Sequence, residues 1–272
     1  MRLVTIRTDR GERPGVVLSA PDGTDRVLTL GPGEDRERAV AAADPATLPA
    51  LDSVRLGPPV RPGTILCVGY NYRGHLETPD PEFPNIFVKT ANVLAGPQDP
   101  VVLWPATRDV DYEGEIAVVI GRRAHRVSEA EALGHVAGYT LFNDVSDRDW
   151  QSRTNQWALG KSIDGFGPLG PWLVTPDECG DLAGRSIEVE RNGEVTVRSS
   201  TDAMVFGVAF LIHYLSQVIT LEPGDVISTG TPARSDAAQA VHTPLAPGDV
   251  VTVRVAGLGA LTTTFISEEE NR

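Results

Sequence analysis

Cysteine and lysine are nearly absent from this chain of 272 residues. The two cysteines, Cys67 and Cys179, show neither metal-binding spacing nor a disulfide framework, which by default implies a reducing, cytoplasmic setting. An apolar run of membrane-spanning length is missing, and so is a signal-type h-region. The longest apolar stretch, Met204 to Leu221, is broken by His213, Ser216 and Gln217 and reads as a buried helix. Positive charge is scarce as well. The 24 basic and 37 acidic residues leave a net charge of −13, which argues against nucleic acid or an anionic membrane as partner. An anionic small molecule would need local positive charge to enter, and a bound metal is one way to supply it. None of the five histidines is spaced as a zinc pair.

The scarcity of lysine is itself informative. Only Lys89 and Lys161 stand among the 24 basic residues, and every other one is arginine. Lysine is a compact point charge with a tunable pKa, which arginine is not. Both lysines are therefore candidate site residues.

What is present is ordinary for a globular chain, with 41% hydrophobic and 22% charged residues. Residues 1–60 alternate short apolar runs with turns, carry no chemical constellation and read as a small N-terminal domain. The Pro-rich string from Leu56 to Gly63 links it to a larger domain at 61–272. That domain holds many short strand-like runs, an Asn192-Gly193 hairpin turn and one long helix, expected over Met204–Thr220. The fold class is β-dominated α+β.

The chemistry centres on Asp111-Tyr112-Glu113-Gly114-Glu115, which opens the apolar run Ile116 to Ile120. On a strand, Glu113 and Glu115 share a face about 7 Å apart, and burying two like charges is costly unless a cation joins them. Asp144 follows another strand-like run and supplies a third carboxylate if the strands are neighbours. An all-oxygen trio suits Mg²⁺, Mn²⁺ or Ca²⁺.

Several motifs in order give the chain a resemblance. Val68-Gly69-Tyr70-Asn71-Tyr72-Arg73-Gly74-His75, Asp111 to Glu115, and Gly138 to Ser146 are three of them. Gly160-Lys161-Ser162-Ile163-Asp164, Gly167 to Trp172, and Ser228-Thr229-Gly230-Thr231-Pro232 complete the series. Together they resemble the fumarylacetoacetate hydrolase family over about residues 64–266. The resemblance implies a mixed β-roll or β-sandwich with few helices behind a small lead domain, commonly a homodimer. It implies Mg²⁺ or Mn²⁺ on Glu113, Glu115 and Asp144, and a 2-oxo acid as the anionic substrate. Lys161 matches the family's active-site lysine and His75 its water-activating histidine. Thr229, Gly230 and Thr231 match the pocket loop, and Gln151 follows an Arg-Asp-x-Gln pattern. Tyr70, Arg73 and Lys89 complete the expected substrate contacts.

The chain departs from that pattern in two places. The acid paired with the histidine is usual three positions on, but here Glu77 follows His75 by two, with Glu82 as its possible replacement. Asp147 replaces a small residue before Arg148, which puts a further carboxylate near the trio, either solvated or repelling an anionic substrate tail. The expected activity is hydrolysis of a C–C bond in an acylpyruvate- or fumarylpyruvate-type acid, with His75, Glu77 and Lys161 catalytic. Alternatives on the same site are decarboxylation of an oxaloacetate-like acid and isomerisation of a hydroxymuconate or 2-hydroxyhepta-2,4-diene-1,7-dioate type of acid. A repurposed binding protein or biosynthetic cyclase is a further alternative.

Overall fold

The computed structural model describes residues 1–75, 79–241 and 243–271. Its centre is the strand Gly114–Ile120, whose seven residues are all buried. Alternation divides this strand between two cores. Ile116, Val118 and Ile120 join the cluster under the helix Val208–Ser216, with Leu211, Ile212 and Leu215. Ala117 and Val119 join the opposite cluster, with Cys67, Phe142 and Leu169. Each fully buried Val or Ile contributes about 1.5–3 kcal/mol of transfer free energy. Such a strand anchors whatever hangs from its end.

Among the described residues the strand lies within an eleven-stranded mixed sheet. It pairs antiparallel with Val136–Asn143 on one side and Val226–Ser228 on the other. Beyond Val226–Ser228 come Ile65–Gly69, in parallel, and then Asn85–Lys89. On the other flank Val136–Asn143 pairs with Gly167–Val174, which meets the first strand, Arg2–Thr8, through Arg2↔Val174 and Leu3↔Leu173. Strands of the lead segment thus continue the same sheet. A second, five-stranded sheet holds the hairpin Ser186–Arg191 and Glu194–Ser200 together with Val250–Val255. Asn192 and Gly193 both have positive φ, 53° and 85°, as a type I′ turn requires.

The expected long helix is shorter than the apolar run. Thr201–Ala203 is a 3₁₀ turn, Gly207 caps the helix, and the helix ends at Ser216. The residues before Gly207 are held elsewhere, since Met204 bridges to Tyr72 and the Val205 amide donates to the Asn71 carbonyl. Tertiary pairing overrides helical propensity there. No helix among the described residues is long and apolar enough to cross a membrane.

Candidate active site

Two segments bring three carboxylates to the end of the central strand. Glu113 precedes that strand, Glu115 is its second residue, and Asp144 follows the neighbouring strand, its amide donating to the Glu113 carbonyl at 2.8 Å. Their side chains converge, with one carboxylate oxygen of each within 4.8 Å of the others. Glu115 and Asp144 are buried and Glu113 is nearly so.

Each acid is held by donors. The Ser228 hydroxyl at 2.5 Å and the Gly230 amide at 2.9 Å both donate to Glu115 Oε2. Lys161 Nζ donates to Glu113 Oε2 at 2.5 Å and Asp144 Oδ2 at 2.6 Å. Lys89 Nζ reaches Asp144 Oδ1 at 2.6 Å and the Val145 carbonyl at 2.9 Å. Arg148 is a fork. Its Nη2 donates to Glu113 Oε1 at 2.7 Å and Asp111 Oδ2 at 2.8 Å, and its Nη1 to Gln151 Oε1 at 2.9 Å.

The charges respond to this packing. Burial opposes ionisation of Glu113, but Lys161 and Arg148 outweigh it and hold this carboxyl far below the usual range. Glu115 goes the other way: burial, then Asp144 and Glu113, push it well above that range. Lys161 faces two carboxylates, which overcome burial and raise its pKa, so it stays an ammonium. Lys89 is dominated by burial, with one carboxylate in partial compensation, and its pKa is lowered.

The donor set fits a hard divalent cation. Oxygens around one Mg²⁺-sized ion, at about 2.1 Å from it, stand about 3–4 Å apart, within reach of small side-chain rotations of this trio. Burial first, and then the Asp144 and Glu113 carboxylates, disfavour the ionised form of Glu115, which a cation bound beside it would favour.

A cavity of about 760 Å³ opens above the cluster. Its wall includes Tyr70, His75, Trp157, Gln151, Thr231 and Arg234. Tyr70 is in the left-handed region, φ 59°, which turns its ring edge-on to His75 at 5.6 Å and to Trp157 at 5.7 Å between centroids. Asn71 fixes that turn, donating to the Thr229 carbonyl at 2.8 Å and accepting from the Phe206 amide at 2.9 Å. Gly230, at φ 90°, passes so close that a Cβ would lie 2.6 Å from the Val68 carbonyl oxygen. Burial lowers the His75 pKa, against the pull of Glu113 and a hydrogen bond with the Thr231 backbone.

Of the residues singled out in the sequence, Glu113, Glu115, Lys161, His75, Tyr70, Gln151 and Thr231 all border the cavity. Lys89 does not: it is a buried counter-ion of Asp144. Arg73 turns away to the Met204 carbonyl and Asp80. The Thr229 hydroxyl is used on the Ile116 carbonyl, and the Gly230 amide on Glu115. Glu82 is exposed and off the cavity wall, and Glu77 lies outside the described residues. Asp147 is corrected most clearly. It is fully buried and accepts from the Arg108 and Trp150 amides, capping the helix Arg148–Ser152 instead of repelling a ligand. Asp111, Arg148 and Arg234 were not singled out as site residues. The three-residue spacing of Arg148 and Gln151 on one helical face signals the first arginine. No sequence pattern signals the second.

A mixed β-roll carrying an acidic trio beside a buried lysine defines a class of enzymes acting on oxo acids. The model of the fumarylacetoacetate (FAA) hydrolase C-terminal domain matches residues 64–266, and the chain belongs to this family. It is 44% identical over 229 residues to human oxaloacetate tautomerase FAHD2A, mitochondrial, covering 82% of this chain and 73% of that one. Among solved structures it is similar to 2-hydroxyhepta-2,4-diene-1,7-dioate isomerase from Mycobacterium marinum, with 33% identity, a TM-score of 0.82 and 98% and 99% of the two chains covered. It is likewise similar to fumarylacetoacetate hydrolase from Exiguobacterium antarcticum, with 34% identity, a TM-score of 0.85 and 98% and 100% coverage. The protein is an enzyme of this superfamily acting on 2-oxo acids. The cytoplasmic setting expected from the cysteines is corrected by the human and bovine oxaloacetate tautomerases among the curated relatives, which are named as mitochondrial.

Proposed function

We propose that the enzyme moves a proton between carbon and oxygen of a 2-oxo acid, as a divalent-cation-dependent tautomerase or isomerase. The observation that carries this reading is the Lys161 ammonium fixed between Glu113 and Asp144 on a cavity that His75 also borders. Two of the three similar proteins described above, named a tautomerase and an isomerase, support it.

Glu113, Glu115 and Asp144 would hold the cation, Mg²⁺ or Mn²⁺ by their oxygen chemistry, which when bound supplies Lewis-acid charge for the substrate's carboxylate and 2-oxo oxygens. His75, neutral at pH 7, takes the proton from the carbon next to the carbonyl. The C–H electron pair becomes the C=C bond, and the carbonyl π pair moves to oxygen. Lys161 donates a hydrogen bond where that negative charge develops, and the His75 imidazolium returns its proton to that oxygen, directly or through water, which completes the enol and restores the neutral base. Positioned base catalysis contributes about 10²–10⁴-fold, and a preorganised donor of this kind about 3–4 kcal/mol. Hydrolysis needs in addition an acid that orients His75 towards water, and no acid among the described residues is hydrogen-bonded to the His75 Nδ1.

The test is solvent deuterium uptake at the carbon next to the carbonyl of oxaloacetate and longer 2-oxo acids, followed by NMR with Mg²⁺ or Mn²⁺. Wild-type enzyme should exceed the metal-only rate, and Glu113→Ala should fall by at least a hundredfold with folding intact. Net C–C cleavage of an acylpyruvate outrunning exchange would instead establish the hydrolase.

A further inference from the structure

Resting on the 2-oxo acid reading, we infer that Trp157 is a specificity residue that takes an uncharged, planar apolar tail carried on the reacting carbon of the substrate. An unbroken arc of rings joins the two catalytic side chains along one wall of the cavity. Lys161 Nζ lies 4.8 Å from the centroid of the Phe87 ring. Phe87 meets Trp157 edge-on at 5.4 Å, Trp157 meets Tyr70 at 5.7 Å, and Tyr70 meets His75 at 5.6 Å. Trp157 is the middle of the arc. It borders the cavity and is half-buried, as are Phe87 and Tyr70.

The indole is a fixed surface. It sits against Gly69, where a Cβ would lie 3.0 Å from Trp157 Cζ3, and edge-on contacts of the kind that aromatic pairs favour hold it on both sides. Trp157 is also the N-cap residue of the short helix Ala158–Lys161, and its carbonyl accepts from the Lys161 amide at 3.0 Å. Ring and ammonium therefore share one support. A substrate whose oxygen meets Lys161 and whose next carbon meets His75 spans the arc, which sets whatever that carbon carries against Trp157.

Charge decides the kind of tail. Among the described residues the fixed cations of the wall are Lys161, Arg148 and Arg234, and each is paired with a carboxylate of the same wall. Lys161 and Arg148 pair with Glu113, and Arg148 and Arg234 with Asp111. Asp109 and Asp236 add negative charge there. A second substrate carboxylate would lose water against a wall whose cations are already committed, which is costly. An apolar ring gains by leaving water for an aromatic surface, and a cavity of about 760 Å³ has room for it.

The test follows deuterium uptake at carbon 3, with Mg²⁺ present, for phenylpyruvate, 2-oxobutanoate, oxaloacetate and 2-oxoglutarate. Wild type should show a KM for phenylpyruvate at least tenfold below the other acids. Trp157→Ala should cut the kcat/KM preference for phenylpyruvate over 2-oxobutanoate at least tenfold, mostly through KM, and Trp157→Phe should restore part of it. Should the Ala variant fail to fold, Trp157→Leu, apolar without a ring, reads the same ratio. A wild-type preference for either diacid would overturn the assignment. So would an equal loss of kcat on phenylpyruvate and 2-oxobutanoate in the variants, which marks a structural role through Lys161. Both results leave the 2-oxo acid reading intact, whereas a wild type that never exceeds the metal-only rate on any of these acids would overturn that reading itself.

Discussion

At the scale of single residues the site is decided by what each ionisable group faces. His75 has its Nδ1 buried without a partner among the described residues, and burial keeps it neutral below the ordinary histidine value of 6.5. The acid limb of kcat/KM, which reports the free enzyme, should therefore fall below pH 6.5. A limb at or above that value would remove His75 as the base. Stability follows the same sign. Between the folded and unfolded pKa values the unfolded chain binds more protons, so the native state loses stability as pH drops below 6.5. In a His75→Gln variant, urea titrations across that range should show this dependence reduced. Lys161 shows how position outweighs burial: two carboxylates keep it charged at 2% exposure, whereas Lys89, with one, is shifted the other way.

At the scale of elements, short helices aim the side chains, and a glycine sets their approach. A Cβ at Gly160 would lie 2.5 Å from the Gln151 amide nitrogen and 2.6 Å from the Asp147 carbonyl oxygen, both backbone atoms that cannot yield cheaply. Gly160→Ala should cost about 1–3 kcal/mol by overpacking and shift the adjacent Lys161, cutting turnover more than tenfold. Thermal melting with parallel kinetics would show both effects, and an unchanged kcat would show that Lys161 tolerates the shift. Much of this level was legible in sequence. The hairpin at Asn192-Gly193 and the strand after Glu115 announce themselves by turn chemistry and by alternation. The true start of the helix Val208–Ser216 was not legible, because Met204 and Val205 are drawn off by Tyr72 and Asn71, more than 130 positions away. The capping partner of Asp147, the Trp150 amide, lies only three positions on and was open to local reading; the burial of the carboxylate was not, because its second donor, the Arg108 amide, is 39 positions away.

At the scale of the whole molecule, the acidic trio draws on two neighbouring strands of one sheet, and its lysines arrive from two further segments. A ligand that binds only this assembled arrangement stabilises the fold by mass action, about 2.7 kcal/mol at a hundred times its Kd. Thermal melting with Mg²⁺, Mn²⁺ or Ca²⁺ should show a concentration-dependent rise that EDTA reverses and Glu115→Ala abolishes. A melting temperature indifferent to all three ions would argue against the cation site independently of any activity. The sequence carried the trio well because its motifs are local. It carried Arg234 poorly because the meaning of that residue depends on Asp111, 123 positions away.

The two lysines, 1% and 2% exposed, leave the surface of this chain without a single ε-amino group. Amine-directed crosslinkers and immobilisation chemistries too large for the cavity thus find no ε-amine to react with while the chain is folded. Acylation of Lys89, which lies off the cavity, becomes a chemical reporter that the core has opened.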